Sequence, residues 1–507
     1  VYIREVNNRS GSVSIQIISK SRGKYKVVKS IGCGRSVQEI ATLKEIARLE
    51  LSKLEKQPSL FVSKDDCFVK SFVSAFSNDQ IRIIGPELIL GKIYDGIGFS
   101  AIPEELFRHL VITRLVNPGS KLKTIDYLLR YQGIRIGKDA VYRFLDKLHS
   151  IYKEEVEQIA FTHTLKVQNG HIGIVFYDMT TLHFESSDGD DLRQTGFSKV
   201  GRHQDPQIYL GLLVSATGFP IGYDIYEGGI YEGHTLIPFI KKFETRFNLS
   251  KPVVVADSGL LNTDNIAYLE SEGYTYILGA RIKNETNLLK QQILSLNLKD
   301  GESTVIDKES DRRLIVSLSA KRAKKDEFNR KRGLKRLEKN IKSGKLTKSN
   351  INKRGYNKYL RLEGEVKIEI DYDKFEQDAQ WDGLKGYLTN TRLNAQEVIE
   401  NYSCLWHIER AFRISKTDLL IRPIFHRLGH RIEAHICISF VAYTIYKELE
   451  RILKRGKCTF SARRAIELTK NMYQISFTLP DTKMPHNLLL KMDDEQQLIY
   501  SILNRFY

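Results

Sequence analysis

The pattern of apolar and polar positions changes character several times along the chain. Residues 1 to about 35 alternate in strand fashion, and Val13-Ser-Ile-Gln-Ile-Ile and Tyr25-Lys-Val-Val flank the turn-like Ser21-Arg-Gly23, which predicts a small hairpin. A charged helix is expected over 36–56. After a polar linker and Gly85-Pro86, helical periodicity covers 103–149, interrupted at Asn117-Pro-Gly-Ser120. Within it, 137–148 reads as the second helix of a helix-turn-helix, with Lys138 and Arg143 available to DNA.

At His171 the pattern switches. Ile172-Gly-Ile-Val-Phe-Tyr177 is a short apolar run of the kind buried in a central sheet, and it ends on Asp178. Ile208-Tyr-Leu-Gly-Leu-Leu-Val214 and Pro220-Ile-Gly-Tyr-Asp-Ile225 supply a second and third strand around Thr217-Gly218. A helix over 235–247 leads to Pro252-Val-Val-Val-Ala256, which ends on Asp257. A further helix and the strand Tyr274-Thr-Tyr-Ile-Leu278 follow. Three meandering strands, then helix-strand-helix-strand, predict an α/β fold with a mixed sheet flanked by helices. Taken singly, each Asp reads more readily as a turn or helix-capping residue.

Residues 285 to about 385 interrupt this pattern, with strand-like alternation returning at Glu365-Val-Lys-Ile-Glu-Ile370. A single helix is then expected through 401–416, opened by a capping box between Asn394 and Glu397. Val398, Tyr402, Leu405, Trp406 and Phe412 share one face at helical spacing, and Glu409 falls on the same side. A carboxylate among apolar neighbours must be paired, protonated or bound to a metal, and Arg413 is the available partner. Lys416 lies two turns along. Trp406 reads as helix core, and Trp381 as a core ring or a platform for a flipped base. Residues 426–507 read as helical and polar, with no chemistry of their own.

Charge sharpens the picture. The 507-residue chain carries a formal charge of +18, a surplus that points to a polyanionic partner, nucleic acid above all. Between Lys321 and Arg361 there are seventeen Lys and Arg against three acids, so this segment holds most of the surplus. A solvated helix is the competing reading of such a run. The five cysteines, Cys33, Cys67, Cys404, Cys437 and Cys458, lack zinc-ligand spacing, so free thiols in a reducing compartment are expected. No apolar run is long enough to span a membrane and no signal peptide is evident, although the chain opens on Val1 rather than Met and a few preceding residues are expected. These features describe a basic, cytoplasmic protein.

Two Asp at strand ends and a Glu on a later helix are what a two-metal phosphoryl-transfer site requires, and hard oxygen donors favour Mg²⁺ or Mn²⁺ over zinc. With these residues in place the chain resembles the bacterial insertion-sequence transposases of the DDE type. The subgroup has a ribonuclease-H-like core, a strand-rich insertion before the catalytic Glu, and a Tyr-x2-Arg-x3-Glu-x6-Lys motif. Tyr402, Glu409 and Lys416 match that motif at the required spacings, and Leu405 stands at its Arg position. Phe176-Tyr-Asp-Met-Thr-Thr-Leu182 matches the first Asp region and Val254-Val-Ala-Asp-Ser-Gly259 the second. Gly196-Phe-Ser-Lys-Val-Gly-Arg-His-Gln-Asp-Pro-Gln207 is similar to the family's basic connection between them, and Asp382-Gly383 and Thr389-Asn390 to its return from the insertion. The resemblance covers roughly residues 85–430.

The resemblance implies a catalytic and metal-binding triad of Asp178, Asp257 and Glu409, with two Mg²⁺ ions for which Mn²⁺ substitutes. It implies DNA contacts by Tyr402, Lys416, Arg413, Lys199 and Arg202. The expected organisation is an N-terminal DNA-end-binding or dimerisation region (1–165), a ribonuclease-H-like core in two parts (166–284 and 386–425), a basic insertion (285–385) and a helical C-terminal region (426–507). The implied reaction is cut-and-paste transposition by a nucleoid-associated enzyme. It would cleave at terminal inverted repeats and join the 3′-hydroxyl to target DNA, as a homodimer bridging two ends. A metal-dependent nuclease without strand transfer, or a non-catalytic DNA-binding descendant, are the alternatives.

Overall fold

The computed structural model describes residues 1–507 except 22, 55–68, 70–72, 75, 186–187, 199–200, 249, 261, 347–350, 353–354, 364–366 and 479–483. Lys199 and Cys67 therefore lie outside the described residues. The chain divides into two compact units, Val1–Ile83 with Tyr473–Lys491, and Ile84–Met472 with Met492–Tyr507.

In the smaller unit, strands Tyr2–Asn7, Val13–Ser21 and Lys24–Gly34 pair antiparallel in sequence order. Alternate residues of the middle strand, Ile15 and Ile17, are buried with Ala47 of the helix Val37–Leu54. A second small sheet joins Ile81–Ile83, Tyr473–Thr478 and Pro485–Leu489.

The larger unit is built on an eight-stranded sheet. Its strands are β1 (Ile174–His183), β2 (Gln207–Ser215), β3 (Pro220–Glu227), β4 (Val253–Ala256), β5 (Tyr276–Ala280), β6 (Ser303–Asp307), β7 (Arg313–Leu318) and β8 (Leu384–Thr389). The spatial order is β6-β7-β8-β5-β4-β1-β2-β3. Strand β2 is antiparallel to β1 and β3, while β1, β4 and β5 run parallel. A 3-2-1-4-5 order with only the second strand reversed is the ribonuclease-H-like arrangement. The insertion is rooted in this sheet: β8 pairs antiparallel with β5, and β7 and β6 continue outward.

Continuous apolar runs form these strands because both faces are covered. Phe176 and Leu182 of β1 feed one core, and Val175, Tyr177 and Met179 feed the other. On the second face lies the crossover helix α1 (Leu236–Phe247), whose Phe239 and Phe243 rings stack 4.4 Å apart. The helix α2 (Thr263–Ser271) follows β4, capped by Asn262. The first face is covered by helices within 84–167 and by the long helix Gly429–Arg455. Each fully buried Ile or Phe contributes about 1.5–3 kcal/mol before chain entropy is counted.

Four further helices matter. They are α3 (Ala320–Lys342), α4 (Ala395–Ser403), α5 (Trp406–Thr417) and α6 (Gly429–Arg455). Helix α3 carries the basic run but is not simply solvated. Leu337 packs with Tyr359, Leu360, Ile370 and Phe375 in a small core of its own, and buried Arg330 donates from Nη2 to Asp382 Oδ2 at 2.6 Å.

Three expectations are corrected. The helix expected through 401–416 is two helices, because the backbone tightens into three-residue turns at the junction. Leu405 N donates to Tyr402 O and His407 N to Cys404 O. The region 426–507 is not simply helical and polar. Nineteen residues of α6 are buried, His435 to Leu449 among them, and strands Tyr473–Thr478 and Pro485–Leu489 come after it. Finally, the helices Glu105–Val116, Lys121–Tyr127, Lys138–Lys147 and Lys153–Val167 belong to the larger unit, so the stretch 1–165 is divided at Ile83.

Candidate active site

Strand β4 ends at Ala256, opposite Tyr177, whereas β1 continues along β2 to His183. The sheet therefore opens beside β1 one residue later. Asp178 and Asp257 are the next residues in that register, on neighbouring parallel strands about 4.8 Å apart. Asp178 therefore lies within β1 rather than at the strand end expected from sequence, Asp257 alone follows the end of its strand, and each accepts from the amide that comes after it. Asp178 Oδ1 accepts from Met179 N at 2.7 Å, and Asp257 Oδ1 from Ser258 N at 2.7 Å.

Helices α4 and α5 bring the remaining groups. The capping box forms as expected, with Asn394 Oδ1 accepting from Glu397 N at 2.9 Å and Glu397 Oε2 from Asn394 N at 2.8 Å. This fixes the start of α4, whose last turn carries Tyr402. Its hydroxyl donates to Asp257 Oδ1 at 3.0 Å, and its ring meets Tyr387 edge-on at 5.0 Å. Gly279 permits that approach, since a Cβ there would lie 2.4 Å from the Tyr402 oxygen. Burial, reinforced by the Asp257 charge, raises the phenol far above its ordinary value, so Tyr402 stays protonated and donating.

The tight turns at Cys404 and Leu405 shift the phase of α5 relative to α4. Leu405 and Ile408 face the core, and Glu409, in the first turn of α5, is exposed rather than set among apolar neighbours. Neither it nor Arg413 forms an ion pair among the described residues, so the pairing considered from sequence is absent. Asp178, Asp257, Tyr402 and Glu409 line one cleft of about 370 Å³. The same cleft receives two cations from the insertion, Arg322 near the start of α3 and Lys385 on β8. Burial, with Arg322 nearby, lowers the Lys385 pKa against the opposing pull of Asp257 and Glu409.

The other expected residues are distributed around this cleft. Lys416 donates to Thr180 Oγ1, tying α5 to β1 two residues beyond Asp178. Arg413 is exposed on α5, and Arg202 is exposed with Asp205 3.6 Å away. Trp406 leaves the helix core expected for it, while Trp381 takes the core place that is the favoured of its two readings. Trp406 is 47 % exposed at the cleft, stacked on His407, whereas Trp381 is partly buried against the core of β7 and has Lys283 over its ring. Sequence reasoning missed Lys385 and Arg322. The only signal for Arg322 was the basic run, which does not say which of its cations turn inward, and Lys385 lies outside that run.

The donor set has the chemistry of a hard divalent cation site, three carboxylates with no thiol or imidazole lining the cleft. Among the described residues no three Asp, Glu, His or Cys side chains converge closely enough to hold one ion, so the carboxylates share a cleft without closing on a point.

The sheet order places the larger unit in the ribonuclease-H-like fold class. Residues 170–445 match the transposase DDE domain family, and the chain belongs to that family. Its members cleave and transfer DNA strands and depend on divalent metal ions. No curated protein matches the chain. Among solved structures, a piggyBac transposase synaptic complex with hairpin DNA is similar over 76% of each chain, at 11% identity and a TM-score of 0.40. A likeness of that size does not bear on mechanism. No helix among the described residues is long and apolar enough to cross a membrane.

Proposed function

We propose that this transposase carries out cut-and-paste transposition of an insertion sequence, with Asp178, Asp257 and Glu409 as its catalytic carboxylates. The observation that carries the reading is the meeting of two Asp, adjacent in register on parallel strands, with the α5 Glu in one cleft. These three residues would hold two Mg²⁺ ions, with Mn²⁺ an adequate substitute. The ions supply activation of the attacking oxygen and stabilisation of the leaving one.

The chain's own residues do the rest. Tyr402 fixes the Asp257 carboxylate, so it is a positioning residue before it is a phosphate contact. Lys416 holds α5 against β1, which keeps Glu409 in the cleft with the two Asp. Arg413, Arg202 and the exposed cations of α3 meet DNA phosphates, and the Trp406 indole offers a face to an unpaired base. Water attacks the phosphodiester at the element end and releases a 3′-hydroxyl. That hydroxyl then attacks a target phosphodiester, forming one ester bond as another breaks. Two ends are bridged by a homodimer.

The test uses pre-cleaved inverted-repeat ends with a free 3′-hydroxyl, incubated with the full chain, Mg²⁺ and a target plasmid. Covalent joining to the plasmid is expected. Cleavage of uncut ends without any joining would instead assign a nuclease.

A further inference from the structure

The cleft has two poles. Asp178, Asp257 and Glu409 form one, and Lys385 and Arg322 form the other. The two cations come from the opposite roots of the insertion, Arg322 as the chain leaves β7 into α3 and Lys385 as it returns on β8. Lys385 is partly buried, with Nζ 4.3 Å from the centre of the Tyr402 ring and 5.3 Å from that of Tyr387. Among the described residues it has no ion-pair partner. Among the same residues Arg322 has one ion pair, with Asp326 one turn along its own helix at 3.4 Å. A partly buried ammonium beside a second cation is costly unless an anion completes it. The cleft's carboxylates attract Lys385 but do not touch it, and as ligands for cations they are not its permanent partners.

We infer that Lys385 is a further catalytic residue of this transposase, donating to a non-bridging oxygen of the scissile phosphodiester, with Arg322 on the adjacent phosphate. A DNA strand lying between the poles satisfies both. One face of the phosphate meets the carboxylate side, and its remaining oxygen meets the ammonium. Charge that builds on that oxygen during attack is stabilised by Lys385 more than in the ground state, which is what accelerates the step. The insertion then does more than grip DNA, since its roots supply the cationic half of the reaction centre. The inference rests on the carboxylate reading proposed above.

The experiment is single-turnover cleavage of a labelled end at saturating DNA and increasing Mn²⁺, with a gel shift for end binding and thermal melting for folding. Lys385→Met is expected to lower the cleavage rate about 100-fold, with end affinity changed less than about threefold and no recovery at high Mn²⁺. Lys385→Arg should recover most of the loss. Arg322→Gln, at an exposed position that leaves the fold intact, should cost about tenfold. If Lys385 merely offsets repulsion among the carboxylates, high Mn²⁺ will restore the Lys385→Met rate, and the inference is overturned. It is equally overturned if Lys385→Met cuts like wild type. Should Lys385→Met melt early, Lys385→Arg and Arg322→Gln decide, and wild-type rates in both overturn it. Asp257→Asn runs beside them: if it cuts normally, the carboxylate reading has failed rather than this one.

Discussion

Two sets of carboxylates in the larger unit are treated in opposite ways. Glu448, on α6, is fully buried and fully engaged. Its oxygens accept from Arg451 Nε at 2.7 Å, Arg451 Nη2 at 2.6 Å and the Tyr507 hydroxyl at 2.8 Å, with His163 Nε2 at 3.2 Å. Burial alone would raise its pKa, but these hydrogen bonds outweigh it and bring the group down to about 2. Asp257 and Glu409, by contrast, are exposed at the mouth of a cleft, and neither forms an ion pair among the described residues. A carboxylate surrounded by permanent donors holds structure together. Exposed carboxylates that form no ion pair among the described residues, such as Asp257 and Glu409, are left to bind what arrives.

The comparison breaks most sharply by exchanging one residue for another. Glu409→Gln should lower the single-turnover cleavage rate about a thousandfold or more while leaving the melting temperature within error. Glu448→Gln should do the reverse. It leaves Arg451 short of a counter-charge and costs about 3 kcal/mol, read by denaturant unfolding, with the rate of the folded fraction preserved.

Acid sharpens the same contrast. The folded pKa of Glu448 lies below its ordinary value of 4.5, so its stabilisation is complete above pH 4.5. It is lost as pH falls toward about 2. Unfolding measured across that window should show wild type losing stability faster than Glu448→Gln, which has no carboxylate to protonate there. Parallel slopes would remove Glu448 from the account.

A smaller effect is expected at Tyr402. Tyr402→Phe removes one hydrogen bond to Asp257 and keeps the ring against Tyr387, so cleavage should slow about tenfold with end binding retained. Loss of end binding instead would mark Tyr402 as a direct phosphate contact. The smallest effect per residue belongs to α3. Replacing Lys324, Lys325, Lys335 and Lys339 by Gln should weaken binding to all DNA alike. It should also reduce the slope of log affinity against log salt by about one unit for every phosphate left without its lysine. An unchanged slope would make the run a solvated face.

Much of this was legible in the residues, for reasons that are local. The strands of the sheet are buried on both faces, so they read as continuous apolar runs, and a polar residue ending such a run, Asp178 or Asp257, stands out. The capping box of α4 is read from two residues three apart. The illegible features depend on neighbours distant in sequence or on a local break in the helix. The tight turn at Leu405 swings Glu409 and Trp406 outward, and helical spacing counted straight through it placed both in the core. Helix α6 hides its burial behind His435, Ser439, Thr444, Lys447 and Glu448, which are polar in sequence and satisfied or enclosed in the fold. Lys385 enters the cleft only because β8 pairs with β5, across more than a hundred residues of chain.

The central claim is that Asp178, Asp257 and Glu409 work as one site, and double substitution tests it most directly. Single-turnover cleavage of a labelled inverted-repeat end would be measured for Asp178→Asn, Asp257→Asn, Glu409→Gln and each pair, with a gel shift confirming that every variant still binds the end. The account predicts that each single change lowers cutting to about the same small residual rate, and that no pair is worse than its members, because one missing carboxylate already disables the site. A single variant that still cuts at the wild-type rate would remove that residue from the site and contradict the account.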